Sequence, residues 1–310
     1  MPAFRESSKV EAMSRIIDVM HMGRDRVIGA HEIDGLIVDP GPTTGLDRLL
    51  EGLGGAEPRA LLLTHIHLDH AGGSGTLVER FPELTVYVHE LGAPHLVDPE
   101  VLLRSARQLY GDDMDRLWGE VVPVPERNVR ALAGGETIEG DFRVEYTPGH
   151  ASHHVTYLSE SSGEAFVGDV AGVRIPPVDH VLPPTPPPDV DLEAWEESLR
   201  ILERLGPRAL CLTHFGRVDD VEGHLARLRE SLARQGERSR AHGEEAFVAA
   251  VEADVRAAAE GDEEMSERFL QAAPPDQLYL GLERYWRRQA EREGAAVGEG
   301  RGVRAPATRP

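Results

Sequence analysis

The segment Thr64-His65-Ile66-His67-Leu68-Asp69-His70 constrains this chain more than any other. It sets four potential metal donors within six positions, directly after the apolar run Ala60-Leu61-Leu62-Leu63. A continuous apolar run of that length fits a strand buried on both faces. The donors then sit at a strand's C-terminal end, where α/β sheets tend to gather ligands. Imidazole nitrogen and carboxylate oxygen are natural donors for zinc and for other divalent ions. Regular helical spacing would not bring all four to one point, whereas a loop can turn alternate side chains toward two neighbouring ions. With 14 histidines in the chain, isolated hits arise by chance, but this density does not.

Three further donors are each expected at the end of a short strand: His150 in Thr147-Pro148-Gly149-His150, Asp169 in Val167-Gly168-Asp169, and His214 in Leu212-Thr213-His214. Singly, Gly168-Asp169 reads as a turn and either histidine as a surface or hydrogen-bonded one. The surrounding pattern alternates strand and helix. Arg26 to Asp39 reads as β-hairpins ending in the turn Asp39-Pro40-Gly41-Pro42, and Gly45 to Leu53 as a helix. Ser74 to Phe81 reads as a helix, Thr85 to His89 as a strand, and Pro99 to Gly119 as helical, with Tyr110 and Trp118 either packed in a core or covering the site. Val121 to Leu132, Thr137 to Ile138, Phe142 to Tyr146, Val155 to Leu158 and Ala165 to Val167 read as β-type runs. Val173 to Val190 holds seven prolines and is expected to be a long, stiff loop. Asp191 is placed to cap a helix ending at Gly206-Pro207, and Arg208 to Thr213 is a buried strand.

In this order, H-x-H-x-D-H, a later His, an Asp and a last His, the chain resembles the metallo-β-lactamase superfamily over roughly residues 14 to 218, with Asp39-Pro40-Gly41 similar to that family's early Asp-x-Gly element. The resemblance implies an α/β fold, an αββα sandwich of two mixed sheets with helices outside and metal at one edge, here with a C-terminal helical extension. It implies two divalent metal ions, zinc first and iron or manganese as alternatives. His65, His67 and His150 would hold one ion, Asp69, His70 and His214 the other, and Asp169 would bridge them. His154 matches a histidine of the hydroxyacylglutathione hydrolase version of the motif and reads as supporting a ligand rather than being one. His153 stands where that version has glycine. Ala71-Gly72-Gly73 after the metal loop also resembles the branch of hydroxyacylglutathione hydrolases and acyl-homoserine lactonases, although the lactonases' tyrosine three residues after the bridging Asp falls at Gly172.

That branch implies hydrolysis of a carboxylic ester, thioester or lactone by a metal-bridging hydroxide, with Asp69 orienting the nucleophile or moving its proton. Two alternatives stay open, a small-molecule phosphodiesterase and a mono-iron sulfur (persulfide) dioxygenase. Arg174 and His180 follow Asp169 closely and are expected either to line the substrate pocket or to sit in exposed loop. His224 reads as structural.

Composition narrows the partners. Lys and Arg number 33 against 54 Asp and Glu, a formal charge of −21, which repels nucleic acid and anionic membranes and favours a small-molecule substrate. The single cysteine, Cys211, excludes an intrachain disulfide and reads as a packed core residue. The first thirty residues carry no apolar stretch of signal-peptide length and no window approaches a bilayer span, so a cytoplasmic location is expected. The organisation expected is a flexible leader at 1–12, a metallo-β-lactamase domain at 13–218, a helical extension of three or four helices at 219–292 and a flexible tail at 293–310. The extension is expected to wall the pocket, to form a homodimer surface or simply to pack.

Overall fold

The computed structural model describes residues 13–300, with side chains to residue 293. The leader at 1–12 and the end of the tail, 301–310, lie outside the described residues.

The first half of the chain runs β1 (Arg15–Asp18), β2 (Gly29–Ile33), β3 (Leu36–Val38), α1 (Leu46–Leu53), β4 (Ala60–Leu62), α2 (Leu68–Ala71), α3 (Ser74–Arg80), β5 (Thr85–His89), α4 (Ala93–Val97), α5 (Glu100–Tyr110), α6 (Met114–Trp118) and β6 (Val129–Leu132). Its six strands form one sheet in sequence order, antiparallel across β1, β2 and β3 and parallel from β3 to β6. The second half runs β7 (Thr137–Ile138), β8 (Phe142–Tyr146), β9 (Val155–Ser159), β10 (Glu164–Phe166), α7 (Leu192–Leu205), β11 (Ala209–Leu212) and β12 (Gly216–Val218). These strands form a second six-stranded sheet, antiparallel except where β10 meets β11. Among the described residues four helices follow: α8 (Val221–Ala241), α9 (Glu244–Ala258), α10 (Glu263–Ala272) and α11 (Pro275–Gly300).

The strand period of two sorts side chains into layers. In β3 and β4, Leu36, Val38 and Leu62 point between the sheets, where Phe142, Val144, Tyr157, Phe166 and Cys211 meet them. Ile37 and Leu61 point the other way, into a layer shared with Leu49 of α1, Leu77 of α3 and Trp118 of α6. On the far side of the second sheet, Ala165, Leu210 and Leu212 pack against Trp195, Leu199 and Leu202 of α7 and Leu225 and Leu228 of α8. The result is the αββα sandwich.

Asp191 caps α7 by accepting a hydrogen bond from the Ala194 N–H at 3.0 Å, and Gly206 closes it in a left-handed conformation. Two expectations need correction, and a third gains detail. The run from Val121 is strand only over Val129–Leu132, because Pro123 and Pro125 remove ladder donors ahead of it. The proline-rich segment is a long loop without helix, as expected, and it is packed rather than bare. Val173, Ile175, Leu182 and Val190 are buried against Phe247, Val251, Phe269 and Leu282 of the C-terminal helices. Lastly, α11 continues to Gly300, past the expected start of the tail at residue 293, even though three of its last seven residues are glycines, which are poor helix formers.

Candidate metal centre

The seven donors meet at the edge of the sandwich where β4, β9, β10 and β11 end or begin. The 65–70 segment is not wholly a loop. His65 to His67 is extended, and His67 is the N-cap of the short helix α2, so Asp69 and His70 lie on a helical turn while the first two histidines do not. This change of conformation brings alternate side chains to a common point.

Three ring nitrogens form a triangle: His65 Nε2 to His67 Nδ1 is 3.1 Å, His65 Nε2 to His150 Nε2 is 3.2 Å, and His67 Nδ1 to His150 Nε2 is 2.9 Å. Donors at about 2.0–2.1 Å from a tetrahedral zinc stand roughly 3.3 Å apart, so the triangle is close to a ligand face. Beside it, His214 Nε2 lies 3.3 Å from Asp69 Oδ2 and 3.4 Å from Asp169 Oδ1, and His70 Nε2 lies 3.2 Å from Asp169 Oδ1. The other oxygen of Asp169, Oδ2, lies 3.3 Å from His150 Nε2. One carboxylate therefore faces both groups. His70 Nε2, His214 Nε2 and Asp169 Oδ1 are buried without a hydrogen-bond partner among the described residues. Buried polar atoms are rarely left so, and a cation between them would satisfy all three. The donor set fits a metal.

The hydrogen bonds behind these rings fix which nitrogen carries the proton. His150 Nδ1 donates to the Pro184 carbonyl at 2.8 Å, and His214 Nδ1 to the Val27 carbonyl at 2.6 Å. His70 Nδ1 donates to Asp39 Oδ2 at 2.8 Å. Thr64 Oγ1 gives its proton to Asp39 Oδ2 at 2.7 Å, so it can only accept from His65 Nδ1 at 3.0 Å. All four Nε2 lone pairs are thereby turned toward the centre.

Asp39, expected from sequence as a turn residue matching the family's early Asp-x-Gly element, is the hub of this support. Wholly buried, it accepts from Thr64 N–H, the Thr64 and Thr213 hydroxyls and His70. Glycines deliver two of the donors. Gly149 has φ +138°, and a Cβ there would stand 2.4 Å from Trp195 Cα. Gly168 has φ +43°, and its Cβ would stand 2.3 Å from Thr64 Oγ1. Only glycine lets His150 and Asp169 follow so closely on these neighbours.

Burial, reinforced by neighbouring rings, lowers the pKa of His65, of His150 and of His67, the last to about 4, so these rings are neutral and keep their lone pairs. Burial would also lower His70 and His214, but Asp169 and Asp69 outweigh it and raise both. Conversely, burial works to raise Asp69 and Asp169, and the facing histidines, His70 first, hold both carboxyls below the ordinary range.

His154 belongs to no donor group among the described residues. Its ring stacks on His65 with centroids 5.2 Å apart, and its Nδ1 meets Thr147 Oγ1 at 3.0 Å, a supporting position. His153 stacks farther out, 6.2 Å from His65. His224 bonds the Ala171 carbonyl at 2.7 Å and is structural. Arg174 and His180 are not brought to the centre. Arg174 runs beside His214 by backbone hydrogen bonds, but its side chain pairs with Asp179 at 2.9 Å, and His180 packs edge-on against Phe269 of the C-terminal helices.

A cavity of about 650 Å³ opens over His67, Asp69 and Asp169. It is walled by α5 and α6, by Pro184 to Pro188 and by α10 and α11. Tyr110 and Trp118 do line it, and the extension forms one of its walls. His21 lines it too, stacked on Trp118 at 5.2 Å and held neutral by burial with its pKa near 4. No motif surrounds His21 in the sequence, and nothing there signals its place.

A family model described as the metallo-beta-lactamase superfamily matches residues 27–214. A metallo-beta-lactamase fold-containing protein of Sulfurisphaera tokodaii is 30% identical over 54% of this chain and 65% of its own length. A hydroxyacylglutathione hydrolase of Xylella fastidiosa is 35% identical over 43% of this chain and 40% of its own length. The chain thus spans less than two thirds of either relative. Among solved structures, an archaeal superfamily protein from Sulfolobus tokodaii aligns with a TM-score of 0.60 at 26% identity, over 70% of this chain and 85% of that one. A metallo-beta-lactamase family protein from Thermus thermophilus aligns with a TM-score of 0.62 at 23% identity, over 91% of this chain and 94% of that one, a likeness of fold that takes in C-terminal helices as well. Among the described residues no helix is long and apolar enough to cross a membrane. Ordered donors, αββα architecture and matched family model agree: the chain belongs to the metallo-beta-lactamase superfamily.

Proposed function

We propose that this protein hydrolyses a carboxylic ester or thioester of a small molecule, with lactones as a cyclic case, at a centre of two divalent cations, zinc first. His65, His67 and His150 would hold one cation, Asp69, His70 and His214 the other, with Asp169 shared. The observation that carries the reading is the convergence of three unpartnered buried atoms on one point, from rings whose proton positions are set from behind. Two cations there supply a water acidic enough to ionise near neutral pH and positive charge for the oxygen on which charge develops.

The chain's own groups do the rest. The Asp69 side chain is partly exposed and lines the cavity, so it can accept a proton from the attacking water and orient its lone pair toward the acyl carbon. Water adds to that carbon, the C–O or C–S bond breaks, and the alcohol or thiol leaves with the proton, giving the carboxylic acid. Thioesters stand high among candidates because a relative is named a hydroxyacylglutathione hydrolase.

The test is metal analysis of the purified protein together with hydrolysis of thioesters, lactones, aryl esters and phosphodiesters, comparing the parent with Asp169→Ala. Two equivalents of metal and acyl turnover absent from the variant are expected. Phosphodiester turnover alone would replace the reading, and so would a single iron with oxygen consumption on a persulfide.

A further inference from the structure

The cavity's floor holds the donors, but its walls are of another chemistry. Leu102 and Leu109 come from α5, Trp118 from α6, Pro186 and Pro187 from the proline-rich segment, and Leu280 from α11. Most apolar side chains in the protein belong to one of four packed clusters. Leu109 and Leu280 belong to none of them, and Leu280 is 38% exposed. Two leucines on opposing helices thus face the same void with no core of their own to fill.

At the rim, Arg287 faces Glu283 at 3.5 Å, and Arg284 donates to the Pro188 carbonyl at 3.0 Å. An apolar ligand limb would cover the leucines and leave both contacts in place. Apolar burial is worth about a four-fold change in affinity per methylene, and a cavity of this size encloses a drug-sized ligand.

We infer that the cavity takes the larger limb of the substrate and that this limb is apolar, making the preferred substrate class thioesters or esters with an extended aliphatic or aryl chain rather than a charged peptide. This rests on the hydrolase reading, and its test separates the two. The S-ethyl thioesters of straight-chain acids of two to ten carbons would be assayed beside a glutathione thioester. In parallel, binding of the corresponding free acids to the metal-loaded protein would be followed by calorimetry. Expected is a rise of about three-fold in kcat/KM per methylene between four and eight carbons, the same trend in acid binding, and a slope cut by at least half in Leu109→Asn and Leu280→Asn.

A flat or falling series, or a glutathione thioester preferred over the eight-carbon one, would overturn the inference and leave the hydrolase reading in place. No turnover of any thioester, nor of the aryl esters of the same acids or their lactones, with acid binding still rising with chain length, would overturn the hydrolase reading and uphold the apolar cavity. Both leucines lie outside the packed clusters, so the variants are expected to fold, and an unchanged unfolding midpoint checks it.

Discussion

Replacing Asp39 by Asn tests the support behind the donors without altering the backbone. Asp39 sits at φ +50°, a conformation that Asn tolerates, so strain stays the same. The carboxylate accepts four hydrogen bonds of 2.7 to 2.9 Å, three at Oδ2 and one at Oδ1. An amide offers one acceptor oxygen. Turned to keep the three, it sets its NH2 against the Thr64 N–H, and an unmatched buried donor costs about 1–3 kcal/mol. The remaining three bonds become neutral ones, each about half as strong as before. The sum is a loss of roughly 4 kcal/mol, or about 10 °C in melting temperature for a chain of this size. His70 also loses the charge that holds its Nδ1 proton, and losing such a partner lowers metal affinity about 10–100-fold. Chemical denaturation of chelator-treated protein would read the first effect, and zinc titration against a chromophoric chelator the second. A variant within about 1 kcal/mol of the parent, with zinc affinity unchanged, would refute the assignment of Asp39 as the hub.

Three other outcomes follow from the same geometry. Gly149→Ala sets a Cβ 2.4 Å from Trp195 Cα at φ +138°, so it should cost about 3 kcal/mol and lower metal occupancy through His150, read by denaturation and metal analysis. Gly281→Ala sets a Cβ 2.0 Å from the Thr185 carbonyl, and a net loss of about 2 kcal/mol is expected even though alanine favours the helix; a midpoint at or above the parent's would contradict the packing. His224 has its pKa lowered by burial to about 4, so the unfolded chain binds its proton first as pH falls. Its contribution is full above pH 6.5 and is lost between 6.5 and about 4, a gap worth roughly 3 kcal/mol. His224→Gln, which can still donate to Ala171, should flatten the acid limb of a stability against pH curve, and an unchanged limb would show that other groups set it.

The donors were legible in the sequence because four of them crowd into residues 65–70 and the other three, His150, Asp169 and His214, each follow a glycine or threonine, and their order along the chain is itself a pattern. The sheets were legible too, since short apolar runs between turns have few other uses. What was hidden depends on contacts between distant segments. Asp39 looks like any Asp-Pro turn until Thr64, His70 and Thr213 close around it. His21 reaches the cavity from the connection between β1 and β2, and no local pattern records that. Arg174 and His180 failed as pocket residues for the converse reason, that nearness in sequence to Asp169 says nothing of which way the chain turns next.

The proline-rich segment and the C-terminal helices carry a consequence for the centre itself. Pro184 accepts the proton of His150 Nδ1 and so fixes that ligand's lone pair. The next residue, Thr185, is wholly buried and donates to the Leu278 carbonyl of α11 at 3.0 Å, where Gly281 lets the helix and the segment touch. A ligand's orientation is therefore set by a carbonyl whose own position is set by α11. The segment holds itself only weakly, because its prolines lack N–H donors and its own pairing is limited to the Val173–Leu182 bridge, with Arg174 bonded by its backbone to His214 and Phe215. Its order must come from packing under the helices, where Ile175, Leu182 and Val190 are buried. On this geometry the helices that wall the cavity also hold the centre's outer wall in place, so a change that loosens α11 should weaken metal binding before it reaches any residue of the donor set.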